Sequence, residues 1–332
     1  MSTSSTRFSR FISLLRRPND PIRDDALFRS WESLPENLKQ PFQVKGTQNP
    51  GCAATHNIME RCNFSCTACY LSKEANHTPA LPMVEVKEQL DKIRQSLGPW
   101  GNTQLTAGEV TLMPVEDLVE IARYCHDIQL SAMVMTHGDT FRQDPSYLER
   151  LVIDGNLEKV AIHVDTTQRG RTGLKGKEKN LQECDLHPIR EEFAALIHET
   201  RRKTGKTLHA AHTFTVDPSN LQGVPDVMDW VLDHSDAFRM ISFQPTAEVG
   251  RTRTDRMTES RELVWNAIES GCGQDMHRRP YLFGHPDCND IALFFVVKFG
   301  NERHLIEVTR KNQNIDKAFF LRLLHGGLGG FT

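Results

Sequence analysis

Predicted strands and helices alternate regularly along this chain from about residue 53. Six segments have the apolar patterns of strands, and those between them have the 3–4 spacing of amphipathic helices. The predicted strands are 53–59, 102–106, 130–136, 159–164, 207–216 and 238–245. The predicted helices are 84–97, 115–126, 145–153, 188–203 and 221–232. Such alternation favours an α/β fold whose parallel sheet closes, or partly closes, into a barrel.

A shorter pattern follows the sixth strand. It predicts a helix over 259–270, two strands over 291–299 and 304–309 that form a hairpin, and a helix over 315–324. We therefore expect three regions: an N-terminal basic segment and lead-in over 1–50, a core domain over 51–251, and a small C-terminal α+β extension over 252–332.

Composition excludes several classes of protein. The 332 residues include 40 Lys and Arg and 43 Asp and Glu, for a net charge of −3, so no nucleic-acid partner is expected. The longest apolar run, Ile291–Val297, is far shorter than the roughly 20 residues of a membrane span. Eight cysteines are too few for a disulfide framework, and no apolar signal-peptide core is visible. These features predict a protein of the reducing cytoplasm.

The first 23 residues differ from the rest of the chain. They carry five arginines, and the apolar residues Phe8, Phe11, Ile12 and Leu15 fall on one helical face. A basic amphipathic helix of this kind can lie on an anionic membrane surface, which would make the protein peripheral there. Packing on its own domain and a role as an organelle transit peptide are the alternatives.

Three cysteines lie close together directly after the first predicted strand. Cys62, Cys66 and Cys69 have the spacing C-x3-C-x2-C. Three thiolates on one loop can hold three irons of a [4Fe–4S] cluster and leave the fourth iron open. A structural zinc ion, completed by His56 or His77, is the alternative that the spacing leaves open.

The cysteine loop, after the first strand of a predicted barrel, resembles that of the radical SAM superfamily. The resemblance covers about residues 52–251 and implies a partial (β/α)6 TIM-type barrel. It also implies that the open iron binds S-adenosyl-L-methionine (SAM). One-electron reduction then cleaves SAM, and the resulting 5′-deoxyadenosyl radical abstracts a substrate hydrogen. A reductant such as ferredoxin or flavodoxin is implied as well.

Strand-end motifs extend the resemblance and suggest the residues that bind SAM. The segment 107–110 (Ala-Gly-Glu-Val) resembles the superfamily's Gly-Gly-Glu-Pro loop, from which Ala107 and Val110 depart. His163 and Asp165 resemble its ribose-facing strand end, where His163 replaces the usual small polar residue. Gln244 lies in a Phe-Gln-Pro strand end that is followed by Gly250-Arg251. The predicted SAM-binding residues are Ala107, Gly108, Glu109, His163, Asp165 and Gln244.

The extension suggests a second metal site and a substrate class. Cys272, His277, His285 and Cys288 could bind a second metal or cluster, or could simply be structural. Gly284-His285-Pro286-Asp287-Cys288 is similar to a set of radical SAM proteins that includes archaeal tetraether-lipid synthases, so a lipid is one candidate substrate. The catalytic residues and the substrate are not predicted. A radical SAM methylase, or a non-catalytic iron–sulfur or zinc protein, is the alternative function.

Overall fold

The computed structural model describes residues 20–40, 43–51, 53–177, 180–252, 260–278, 281–285, 287, 290–300, 302–309 and 314–325. The described residues fall into two compact units. One contains those within Met1–Ala54, Asp91–Asn102 and Met276–Thr332, and the other those within Thr55–Leu90 and Thr103–Asp275. The predicted division of the chain at residues 50 and 251 stays a prediction.

Six parallel strands form one sheet whose strand order follows the chain order. The strands are β1 (Ala54–Met59), β2 (Gly101–Ala107), β3 (Leu130–Thr136), β4 (Lys159–His163), β5 (His209–Val216) and β6 (Phe238–Pro245). β1 and β6 are the two ends of this order, so the described sheet is open. The predicted α/β class and its partial (β/α)6 arrangement are confirmed.

Helices alternate with these strands. They are α1 (Pro21–Glu32), α2 (Met83–Leu97), α3 (Val115–Asp127), α4 (Asp139–Gln143), α5 (Pro145–Ile153), α6 (His187–Thr204), α7 (Val224–Asp233) and α8 (Arg261–Cys272). In α3 the buried residues Leu118, Ile121 and Cys125 repeat at helical spacing, so one apolar stripe faces the core. Glu116 and Asp117 lie in its first turn, where negative charge is favourable.

The strand register aligns the carboxyl ends of the central strands. Thr136 pairs with Ile162, His163 with Thr213, and Thr215 with Gln244. The side chains of β5 are buried on both faces, apart from half-buried Thr215 near its end. A parallel sheet covered on both faces presents its functional residues at the carboxyl ends of its strands.

Two helices were not predicted from the sequence. α1 begins where the Asp20 side chain accepts hydrogen bonds from the backbone N–H groups of Ile22 (3.1 Å) and Arg23 (3.3 Å), with Pro21 in the first turn. This N-cap and the proline stabilise the start of a helix within the predicted lead-in. α4 has only five residues, too few for a helical period to be visible in the sequence.

The predicted extension is confirmed in its elements. β7 (Phe294–Phe299) and β8 (Glu302–Glu307) form an antiparallel hairpin, and α9 (Asn314–His325) follows it. The basic N-terminal segment before residue 20 lies outside the described residues, so its predicted helix is not tested. Where the structure is described, no helix is both long and apolar enough to cross a membrane.

Candidate functional site

The cysteine loop, residues 60–70, lies against the carboxyl ends of three strands. The backbone N–H of Ser65 donates to the carbonyl of Arg169 (2.9 Å) and that of Thr67 to Thr167 (2.9 Å), both after β4. After β6, the N–H of Arg251 donates to the carbonyl of Cys69 (2.8 Å). The loop is therefore fixed at the edge of the sheet where parallel α/β proteins hold their active sites.

The three thiols of this loop interact electrostatically. Burial, together with the smaller effect of the charges of neighbouring cysteines, raises the pKa of Cys62 to about 11 and that of Cys66 to about 12. All three cysteines are half-buried. Thiolates this close together are stabilised by bound metal cations, whose binding releases the thiol protons.

Single-ion metal sites are not formed by the described part of the chain. No group of three or more His, Cys, Asp or Glu side chains there lies close enough to hold one ion. His56, which was considered as a zinc ligand, is buried in β1 with its Nε2 2.8 Å from Gln89 Oε1. A cluster needs a different arrangement, because it distributes its thiolates over separate irons.

The turn after β2 brings its backbone very close to the cysteine loop. The Gly108 N–H donates to the carbonyl of Met59 (2.7 Å), and a Cβ at Gly108 would lie 2.2 Å from the carbonyl oxygen of Arg61. Only glycine fits there. Ala107 has a φ of +123°, and its carbonyl accepts a hydrogen bond from the Tyr70 hydroxyl (2.7 Å). Both residues therefore contact the loop through their backbone.

The buried carboxylate of Glu109 is engaged by the protein itself. Its Oε1 accepts from the hydroxyls of Thr111 (2.6 Å) and Thr136 (2.5 Å), and its Oε2 accepts from the backbone N–H of His137 (2.8 Å). The side chain is 1% exposed. Glu109 thus joins the ends of β2 and β3, and only its backbone is available for a ligand.

His163 and Asp165 form an ion pair at the end of β4. The His163 Nε2 bonds Asp165 Oδ2, which also accepts from the Thr215 N–H (2.7 Å), while Oδ1 accepts from the Thr167 N–H (2.8 Å). Burial alone would raise the pKa of Asp165, yet the charge of His163 and these hydrogen bonds lower it to about 2. The Asp165 side chain is fully buried, whereas His163 is 28% exposed. The exposed member of the pair is therefore the histidine.

Gln244 and Arg251 lie at and after the end of β6. Gln244 is exposed, and its side-chain Nε2 donates a 3.4 Å hydrogen bond to Ser242 Oγ. The Arg251 Nε and Nη2 are buried with no hydrogen-bond partner in the described structure. The positive charge of Arg251 opposes the rise that burial gives to the pKa of Cys62. Among the described residues, no acceptor contacts these two buried nitrogens of Arg251 beside the cysteine loop.

Sequence reasoning missed two residues that support this site. His137, directly after β3, stacks on Phe64 with ring centroids 3.7 Å apart. Arg171 is buried and donates to the carbonyls of His137 (2.9 Å) and His163 (2.8 Å). The position of His137 directly after β3 could have identified it, since His163 was identified by its position at the end of β4. Nothing in the sequence distinguishes Arg171 from an exposed arginine.

The four residues predicted to bind a second metal all follow the sixth strand in the sequence. Cys272 is the last residue of α8 and is half-buried. The His277 N–H donates to Glu307 Oε1 (2.5 Å). His285 is exposed, and its Nδ1 lies 3.5 Å from Asp287 Oδ2. Cys288 lies outside the described residues. The second site stays a prediction.

Replacing Ala107 with glycine is expected to stabilise the protein by about 1 kcal/mol. A φ of +123° strains alanine by about 1–3 kcal/mol, and glycine relieves that strain at a smaller entropic cost. Ala195→Gly, on the exposed face of α6, is the matched control, and it should lower the free energy of unfolding by about 1 kcal/mol. Denaturant unfolding of both variants measures the effect, and a destabilised Ala107→Gly variant would contradict it.

Comparison with known protein families agrees with this geometry. Residues 56–182, from β1 to the segment after β4, match the family model described as "Radical SAM superfamily". A search of curated proteins found no match. The matched region contains the cysteine loop, the turn after β2 and the His163–Asp165 pair. Residues 56–182 of this chain are therefore a radical SAM domain.

Proposed function

We propose that the protein is a radical SAM enzyme that holds a [4Fe–4S] cluster on Cys62, Cys66 and Cys69 and abstracts a hydrogen atom from its substrate. Members of this superfamily generally bind such a cluster and SAM. The observation that carries the proposal is the position of the three interacting thiols at the carboxyl ends of the parallel strands. Three cysteine ligands leave one iron open for SAM.

Arg251 supports the fit of SAM beside the cluster. Two of its N–H groups are buried and have no partner among the described residues, although buried donors are nearly always hydrogen-bonded. An anionic ligand group is the natural partner for such a guanidinium. We propose that Arg251 binds the carboxylate of SAM.

The other strand ends suit a nucleoside ligand that lies across the sheet. The backbone after β2 is held close to the loop by Gly108, and polar groups of His163 and Gln244 are exposed at the ends of β4 and β6. Asp165 would act by orienting His163, since its own carboxylate is buried. This modifies the expectation that Asp165 contacts the ribose directly.

When bound, the cluster and SAM supply reductive cleavage of SAM and a 5′-deoxyadenosyl radical. The protein holds the loop, orients the cofactor and keeps water from the reacting atoms. The electron must come from a low-potential donor, and we propose a small electron-transfer protein such as ferredoxin or flavodoxin.

Anaerobic reconstitution with iron and sulfide, followed by dithionite and SAM, tests the proposal. We expect 5′-deoxyadenosine and methionine in equal amounts. Mass spectrometry of lipid and peptide extracts incubated with the enzyme would then identify the substrate, and methyl transfer would reveal a methylase. Iron-loaded protein that leaves SAM intact would contradict the proposed function.

Arg251→Gln is expected to weaken SAM binding by about 10- to 100-fold, the value of one or two charge-assisted hydrogen bonds. Equilibrium dialysis of SAM against the reconstituted, unreduced enzyme measures this. Arg239→Gln, at the exposed start of β6, the strand that precedes Arg251, is the matched control. Equal affinity in the Arg251→Gln variant and the wild type would move the carboxylate site elsewhere.

A further inference from the structure

One hydrogen bond within the cysteine loop ends on a predicted cluster ligand. The backbone N–H of Phe64 donates to Cys62 Sγ over 3.4 Å. Phe64 is buried, whereas the neighbouring Asn63 is exposed. The geometry of this N–H···S bond therefore depends on what fixes the peptide between Asn63 and Phe64.

His137 contacts both residues of that peptide. Its ring stacks on the Phe64 ring at a centroid distance of 3.7 Å and an interplanar angle of 7°. Its Nε2 lies 2.8 Å from Asn63 Oδ1. The Arg171 guanidinium also packs on Phe64, with its central carbon 5.3 Å from the ring centroid. One imidazole thus fixes the loop through a stack and a hydrogen bond.

The imidazole itself is rigidly held. The His137 N–H donates to Glu109 Oε2 (2.8 Å), and its carbonyl accepts from Arg171 (2.9 Å). The Asp139 N–H donates to His137 Nδ1 (3.1 Å), so the ring proton of the neutral imidazole is on Nε2, where it can be donated to Asn63. Glu109, His137 and Arg171 are all at least 95% buried. Together they form a buried clamp that contacts the cysteine loop at Asn63 and Phe64.

We propose that this clamp of Glu109, His137 and Arg171 tunes the reduction potential of the cluster by holding the Phe64 N–H on the sulfur of Cys62. The inference rests on the proposed function, because it requires a cluster on Cys62. Hydrogen bonds to cluster sulfur stabilise the more negative, reduced state and raise its potential. His137 is accordingly a positioning residue that acts through Phe64.

The test is an EPR-monitored redox titration of the reconstituted full-length enzyme without substrate. His137→Phe keeps a flat ring against Phe64 but removes the Nε2–H donor. Asn63→Ala removes the acceptor from the exposed side, where a folding defect is not expected. Tyr147→Phe is the control, since it removes a buried hydrogen bond to Met113 (2.9 Å) that does not involve the loop.

We expect His137→Phe to lower the equilibrium constant for one-electron reduction of the cluster by about threefold to tenfold. A tenfold decrease corresponds to a reduction potential that is 59 mV lower. Asn63→Ala should shift it less in the same direction, and Tyr147→Phe should leave it unchanged. Unchanged reduction potentials in both His137→Phe and Asn63→Ala, with full cluster content, would overturn the inference. If His137→Phe does not fold, Asn63→Ala alone decides. Wild-type protein that takes up no cluster would overturn the proposed function and this inference with it.

Discussion

Replacing Cys62, Cys66 and Cys69 together with alanine is expected to abolish cluster binding and all formation of 5′-deoxyadenosine. Thiolate is the ligand that iron–sulfur clusters use, and no other cysteine among the described residues belongs to this loop. Iron and sulfide analysis, visible absorption and product analysis after anaerobic reconstitution measure the loss. The folded state of the variant is checked by circular dichroism.

The matched control for that variant is Cys184→Ala. Cys184 is exposed and lies in the segment before α6, so its loss should change neither iron content nor SAM cleavage. Retained SAM cleavage in the triple variant would contradict the assignment of the loop. Stoichiometric iron or zinc left in the triple variant would indicate the second site predicted from Cys272, His277, His285 and Cys288, and none would show that these residues are structural.

Replacing Asp165 with alanine is expected to lower the free energy of unfolding by about 3–5 kcal/mol, because it leaves buried partners without their acceptor. The affected groups are the His163 imidazole and the backbone N–H groups of Thr167 and Thr215. We also expect weaker SAM binding with the cluster iron retained, since His163 loses its orientation. Denaturant unfolding and SAM dialysis measure the two effects.

The control for Asp165 is Asp226→Ala, which breaks a 2.7 Å pair with His187 in which the carboxylate is 52% exposed. The resulting loss of unfolding free energy should stay below about 1 kcal/mol.

The pH dependence of stability gives a second check on Asp165. Because the folded-state pKa of Asp165 is about 2 against an ordinary 3.8, its stabilisation is complete above about pH 4 and is lost as the pH falls toward 2. A stability difference that did not shrink over this range would contradict the account.

Much of the fold could be predicted because hydrophobic periodicity and strand order agree along the chain. β6 has the predicted bounds, and α3 ends within one residue of its prediction. The strands of the hairpin were placed less well. β8 was predicted over 304–309 but covers Glu302–Glu307, since a half-buried hairpin has a weaker pattern than a buried parallel strand.

The spacing of the cysteines was enough to predict the cysteine loop, whereas the contacts of the charged residues around it could not be predicted from the sequence. The position of Asp165 predicted a contact with SAM, which stays a prediction, but gave no sign that the Thr167 and Thr215 N–H groups donate to its carboxylate. The unpaired donors of Arg251 and the stack of His137 on Phe64 depend on three-dimensional contacts between different strand ends. Such contacts leave no spacing pattern along the chain.

The proposed function requires that three thiols hold a cluster with one iron open to SAM. EPR spectroscopy of the reconstituted, dithionite-reduced enzyme, recorded with and without SAM and alongside iron and sulfide analysis, tests this requirement. We predict four irons and four sulfides per chain and a spectrum that changes when SAM is added. A spectrum that SAM leaves unaltered, or protein that takes up no iron and sulfide, would contradict the proposed function.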